Sequence, residues 1–217
     1  MRTGLDSELE ALKIEILRMG TRVGSAVHAA VTSLRTSDAE RARQVVAEDS
    51  EVDRAEIEIE RHCLRLLALQ QPVGSDLRLI GSALKMGTDL ERMADHATSI
   101  AKATLRLADQ SLIKPLVDIP RMEEIAQQML RKALQAYAER DAESALEFVR
   151  LDDEIDHLYN QVFRELLLLM IADPSVIEQA TQLLLVAQNL ERVGDHATNL
   201  AEWTIYTVTG ERPALNK

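Results

Sequence analysis

Apolar residues recur along this chain at alternating steps of three and four, the spacing that gathers them on one face of an α-helix. Val52, Ala55, Ile59, Cys63 and Leu66 form one such stripe, Leu151, Ile155, Leu158, Val162 and Leu169 a second, and Leu90, Ala94, Ala97 and Ala101 a third. The punctuation between stripes predicts six helices. The first spans about Ser7 to Leu34; Ser37 and Glu40 then have the spacing of a capping box that opens the second. Gln70-Gln71-Pro72 closes that helix, because a proline disfavours helical geometry in the residue before it. Gly74 and Ser75 supply a turn and an N-cap for the third, which reaches about Ala108. DQSLIKPLVDIP, residues 109–120, holds two of the five prolines and lacks a sustained helical pattern, so it is predicted to be a linker. A fourth helix follows to about Tyr137, Asp141 caps a fifth, and Asp173-Pro174 opens a sixth. Gly210 and Pro213 end the ordered part.

This plan is all-α and divides into halves. Residues 89–104 read DLERMADHATSIAKAT and residues 189–204 read NLERVGDHATNLAEWT, so Leu, Glu, Arg, Asp, His, Ala and Thr recur in register. Two tandem three-helix bundles, six long helices with a pseudo-twofold internal repeat, account for this better than one undivided six-helix domain. The predicted division is a first repeat over 1–108, the linker over 109–120, a second repeat over 121–210 and a C-terminal tail over 211–217. Small residues at the repeated string, Ala94, Ala97 and Ala101 mirrored by Gly194, Ala197 and Ala201, permit close helix approach.

Composition narrows the class. Of 217 residues 46% are apolar and 3% aromatic, and the formal net charge is −11. That balance argues against a nucleic-acid binder, which normally carries a basic stripe, and favours cations or basic protein surfaces as partners. Cys63, the lone cysteine, lies among apolar residues in HCLRLLAL and is expected as a buried thiol in a reducing compartment. The N-terminus lacks the apolar core of a signal peptide, and the longest apolar run, Leu166 to Ala172, is too short to span a bilayer. A cytoplasmic location is expected.

The repeated charges carry the candidate chemistry. Glu91 and Asp95 are four residues apart, hence neighbours on one helix face, and so are Glu191 and Asp195. Asp49 with Asp53 on the second helix, and Asp152 with Asp156 on the fifth, repeat the spacing. The flank of Asp49 and Asp53 also carries Glu56 and Glu60. Oxygen donors without thiolates suit hard ions such as magnesium, calcium or manganese, and iron where carboxylates bridge metals. The plainer alternative is a solvated or salt-bridged face, since 36 acids place several such pairs by chance. Arg92 and Arg192 stand three residues before Asp95 and Asp195 and are expected to form structural ion pairs. His96 and His196 are assigned a hydrogen-bonding or interhelical packing role in preference to metal ligation, while His28, His62 and His157 lack mates in the repeat and count as ordinary side chains. The methionines are expected to fill the core, and Trp203 and Tyr206 to pack at a helix end.

The paired strings, the QQPVGSDLRLIGSALK segment of residues 70–85 and the acids around Asp49 and Asp53 resemble the PhoU family of bacterial phosphate-specific transport. The resemblance covers nearly the whole chain. It implies a tandem of three-helix bundles, often dimeric, that represses the phosphate-starvation response when phosphate is plentiful. It further implies coupling of the ATPase subunit of the phosphate transporter to a sensor histidine kinase. Membrane association would come only through these partners, with no nucleic acid, no organic cofactor and no catalytic residues. The family's Glu/Asp-x-x-x-Asp motif is linked to surface metal clusters, and it matches here at Glu91 with Asp95, Glu191 with Asp195, Asp49 with Asp53 and Asp152 with Asp156. The pattern does not separate iron, zinc, magnesium or manganese. One departure stands out: Asp76-Leu77-Arg78 falls opposite Val176-Ile177-Glu178, so the second half lacks that motif. The competing readings are a ferritin-like carboxylate-bridged di-iron protein, which uses Glu-x-x-His on two helices whereas His96 follows Glu91 by five positions, and a metal-free helical scaffold.

Overall fold

A computed structural model describes residues 2–145 and 149–215 of the chain. Its helices are α1 (Arg2–Thr36), α2 (Ala39–Gln70), α3 (Ser75–Leu107), α4 (Asp118–Glu139), α5 (Val149–Ala172) and α6 (Ile177–Thr209), and no strand occurs among the described residues. In each half the three helices pack on one another, α1, α2 and α3 in the first and α4, α5 and α6 in the second. The halves then join through two seams, α3 on α6 and α1 on α4, which leaves α2 and α5 on the outside. Hydrogen bonds from Arg106 to Gln182 and from His196 to Asp89 show that α3 and α6 run antiparallel.

The predicted stripes are the buried faces. Val52, Ile59, Cys63 and Leu66 are buried on α2, Leu90, Ala94, Ala97 and Ala101 on α3, and Ile155 and Val162 on α5, with Leu151, Leu158 and Leu169 packed against them partly exposed. Met19, Met86, Met93, Met122 and Met129 fill the interior. At Gly194 an added Cβ would meet Ile155 at 3.3 Å, so the missing side chain lets α5 close on α6.

Several boundaries differ from the sequence reading, each for a local reason. The cap of α2 is Asp38, whose side chain accepts from the Arg41 N–H at 3.0 Å; Ser37 instead takes a left-handed conformation (φ 52°) that terminates α1. The predicted capping box is therefore not used. Ser75 is the first helical residue of α3, and its N-cap is Gly74 at φ 60°. The predicted linker is helical from Asp118, because Pro120 lies in the first turn of α4, where no backbone donor is required of it. Asp141 caps only a short turn, accepting from the Glu143 and Ser144 N–H groups at 3.0 and 3.2 Å; the path from there into α5 crosses 146–148, outside the described residues. Asp173 and Pro174 do open the last helix, through a 3-10 turn over Pro174–Val176. Beyond Gly210 the chain stays packed on α6, and Leu215 is buried, so the ordered part does not end at Pro213.

The unmatched Arg78 has a structural use. Its guanidinium lies beside Gly210 and its Nε points to the Thr207 carbonyl at 3.4 Å, at the end of α6 where carbonyls lack helical partners. The corresponding Glu178 sits in the first turn of α6, where a negative charge favours the helix dipole.

Candidate metal-binding faces and relatives

Within each half, the outer helix and the repeated string bring their acids together. On the first face α2 contributes Asp49 and Asp53 and α3 contributes Glu91 and Asp95; on the second, α5 contributes Asp152 and Asp156 and α6 contributes Glu191 and Asp195. Burial first, and then neighbouring carboxylates, raise Asp49, Glu91, Asp156 and Glu191 above the ordinary carboxylate range. Asp152 is pushed up to about 6 by burial, with Asp156, Asp195 and Asp153 adding to the rise. Glu56 belongs to the first face as well: burial and then Glu60 and Asp53 raise it, and its charge acts on Glu91.

One arginine spans the Glu/Asp pair of each repeated string. Arg92 reaches Glu91 at 3.5 Å and Asp95 at 3.3 Å, and Arg192 repeats this with Glu191 at 3.5 Å and Asp195 at 3.2 Å. Both arginine side chains are more than half exposed, so these bridges are weak and leave most of the repulsion in place. Two threonines in the repeated string, not assigned a role from sequence, complete the faces. The Thr198 hydroxyl donates to Asp152 at 3.1 Å, and Thr98 hydrogen-bonds Asp49 in the equivalent place. Their signal was present: both recur three residues after the repeated Asp, which puts them on the same helix face.

The donor set fits hard cations in type. Asp and Glu oxygens are gathered from two helices, partly buried and short of positive charge. Among the described residues, however, no three His, Cys, Asp or Glu side chains already stand in the spacing of an ion-binding centre. Ligation would require side-chain rotation. The ferritin-like alternative finds no support in the geometry. The single Glu-x-x-His of the chain, Glu154 to His157, is split, with Glu154 on Arg121 at 2.6 Å and the His157 ring against the Asp153 carbonyl at 2.9 Å.

The repeated histidines stand at the seam, as interhelical groups. His196 Nδ1 is 2.9 Å from Asp89 on α3, His96 Nδ1 is 2.8 Å from Asn189 on α6, and the two rings lie 5.6 Å apart. His62, which the sequence marks only as an ordinary side chain without a mate in the repeat, makes contacts across to α1. It is buried, with its ring nitrogens 2.9 Å from Glu8 and from Glu15 on α1.

A duplicated three-helix bundle with a carboxylate face on each copy defines a class of helical repeat protein. The chain belongs to the PhoU domain family, whose profile matches residues 16–104 and 119–204. A phosphate-specific transport system accessory protein PhoU homolog of Clostridium acetobutylicum is 40% identical over 212 residues, covering 97% of each chain. A homolog of the same description from Zymomonas mobilis is 41% identical over 207 residues, 95% of this chain and 87% of the relative. The crystal structure of PhoU from Pseudomonas aeruginosa superposes with a TM-score of 0.91 at 36% identity, covering 95% of this chain and 99% of that one. The phosphate transport system regulatory protein PhoU from Streptococcus pneumoniae gives 0.91 at 33%, covering 97% and 99%.

Proposed function

We propose that this protein is a non-catalytic regulator of phosphate-specific transport that represses the phosphate-starvation response. In this reading it is a cytoplasmic adaptor, working as a homodimer between the ATPase subunit of the phosphate transporter and a sensor histidine kinase. Divalent or iron ions on the two carboxylate faces tune which partner docks, since charge complementarity governs encounter and specificity. No helix among the described residues is long and apolar enough to cross a membrane, so membrane contact runs through the partners. The observation that carries the reading is the exact recurrence of the acid pair, its bridging arginine and its threonine on both halves of the fold. The names of the relatives supply the transport context.

A second reading, a metal-free scaffold, is favoured by the absence of a gathered donor triad among the described residues. One experiment separates them. Glu91 and Glu191 are changed to Gln and Asp95 and Asp195 to Asn, then bound metal is measured on purified protein and repression is measured with a phosphate-starvation reporter. Loss of both supports the metal-tuned adaptor. Metal lost with repression intact makes the ions incidental; repression lost with no metal in either protein supports the scaffold; repression absent from the unmodified protein refutes the regulator.

A further inference from the structure

Gly210 ends α6 in a left-handed conformation (φ 85°), and the chain then folds back along the helix it has just left. The Thr209 hydroxyl oxygen accepts the Glu211 N–H at 3.1 Å and holds this turn. Arg212 next lays its guanidinium over the indole of Trp203, 4.0 Å from the ring centroid, and donates to Glu202 at 2.7 Å. The Leu215 N–H donates to the other Glu202 oxygen at 2.7 Å. Glu202 is buried, so the tail supplies both the opposing charge and the amide donor that a desolvated carboxylate requires.

The contacts continue from the tail into the seam. Trp203 Nε1 donates to Asp89 Oδ2 at 3.2 Å, and Asp89 Oδ1 faces His196 at 2.9 Å and Asn199 at 3.1 Å. The far end of the molecule offers a control. There the linker docks on α6 through Gln179, which bonds Gln110 at 3.0 Å and the Ser111 carbonyl at 3.1 Å and accepts the Ile113 N–H. That linker leads from α3 into α4, whereas residues 211–215 lead to no further helix among the described residues, so undocking them breaks only their own contacts.

We propose that the C-terminal tail is a releasable latch on the α3–α6 seam: docked, Arg212 and Leu215 hold Glu202 and Trp203, and Trp203 holds Asp89 against His196. Released, the tail frees the indole, exposes Glu202 to water and leaves Asp89 to its two remaining donors. The seam then loosens where the two repeated strings meet.

Trp203 is the only tryptophan and the chain has five histidines, so both ends of the path can be read separately. A chain ending at Gly210 is compared with the full chain by tryptophan emission, imidazole NMR and amide exchange. Deletion is expected to red-shift the emission and to move the His196 signals while those of His28, His62 and His157 stay in place. Amide exchange in the last turns of α6 should accelerate about tenfold, equivalent to about 1.4 kcal/mol. Arg212→Ala in the full chain should give smaller changes of the same sign. In a Trp203→Phe background, tail deletion should leave His196 unmoved. An unchanged emission on deletion would mean the tail is not docked in solution. A shifted emission with unmoved His196 signals would reduce the tail to a local cover, and a His196 response that survives Trp203→Phe would rule out the path.

Discussion

Asp49 and Asp152 hold equivalent positions, yet their surroundings differ in the sign of one charged side chain. Lys102 offsets part of the rise at Asp49, whereas the matching position on α6 is the buried Glu202, which the tail occupies. The second face is the one with a carboxyl pushed up to about 6. Removing a charge there is therefore expected to relieve repulsion: in chelator at neutral pH, Asp152→Asn should raise the melting temperature by about 2–4 °C, the shift for about 1 kcal/mol in a chain of this size. On the proposed metal-tuned reading, excess manganese should reverse the order, because an ion held by the unmodified face would be held less by the variant. Cys63 tests the core of the first half. Burial pushes its thiol up to about 12, so the native protein should resist thiol reagents at pH 8 and react only on unfolding. The thiol value is raised from 9.0, so its stabilising contribution is complete below pH 9 and is lost as pH rises toward 12. A melting temperature that is flat from pH 9 to 12 would contradict this. At this scale the acids and their arginines were legible, because a four-residue or three-residue step fixes neighbours on a helix whatever surrounds it. The environment of His62 was not, because its partners lie on α1, far away in sequence.

Helix ends are less legible in the sequence than helix faces. Ser37 and Asp38 are both good caps, and only the backbone decides between them: the Asp38 N–H bonds back to the Ser33 carbonyl at 2.8 Å, which closes α1 around a left-handed Ser37. Two substitutions at adjacent residues should thus act in opposite directions. Asp38→Ala removes the cap and is expected to cost about 1 kcal/mol, while Ser37→Gly relieves the left-handed strain and should stabilise by up to about 1 kcal/mol. Denaturant midpoints of the two variants, at unchanged slope, check both. Stripes such as Val52 to Leu66 were legible because burial averages over many residues; a cap rests on one hydrogen bond, for which neighbouring residues compete.

The whole molecule is held by its seams. The sequence revealed two repeats but not how they meet, since nothing in a repeated string says whether its copies stack side by side or stay apart. The structure places α3 on α6 with Ala97, Ala101, Ala197 and Ala201 fully buried, so neither half covers its own interior. Chemical denaturation is expected to give one transition seen alike by circular dichroism and by Trp203 emission. A fragment of residues 1–108 alone should expose its seam face and either self-associate or remain partly unfolded, which light scattering and exchange rates would show. The seam itself obeys the rule of a two-fold dimer: His96 meets position 189 of the other copy, and His196 meets position 89. A half-length ancestor could have built this surface by pairing with its own twin, under a symmetry that forces both sides to change together. Joining the twins into one gene lifts that constraint, and the carboxylate at Asp89 opposite the amide at Asn189 is the kind of divergence that only a fused pair can afford.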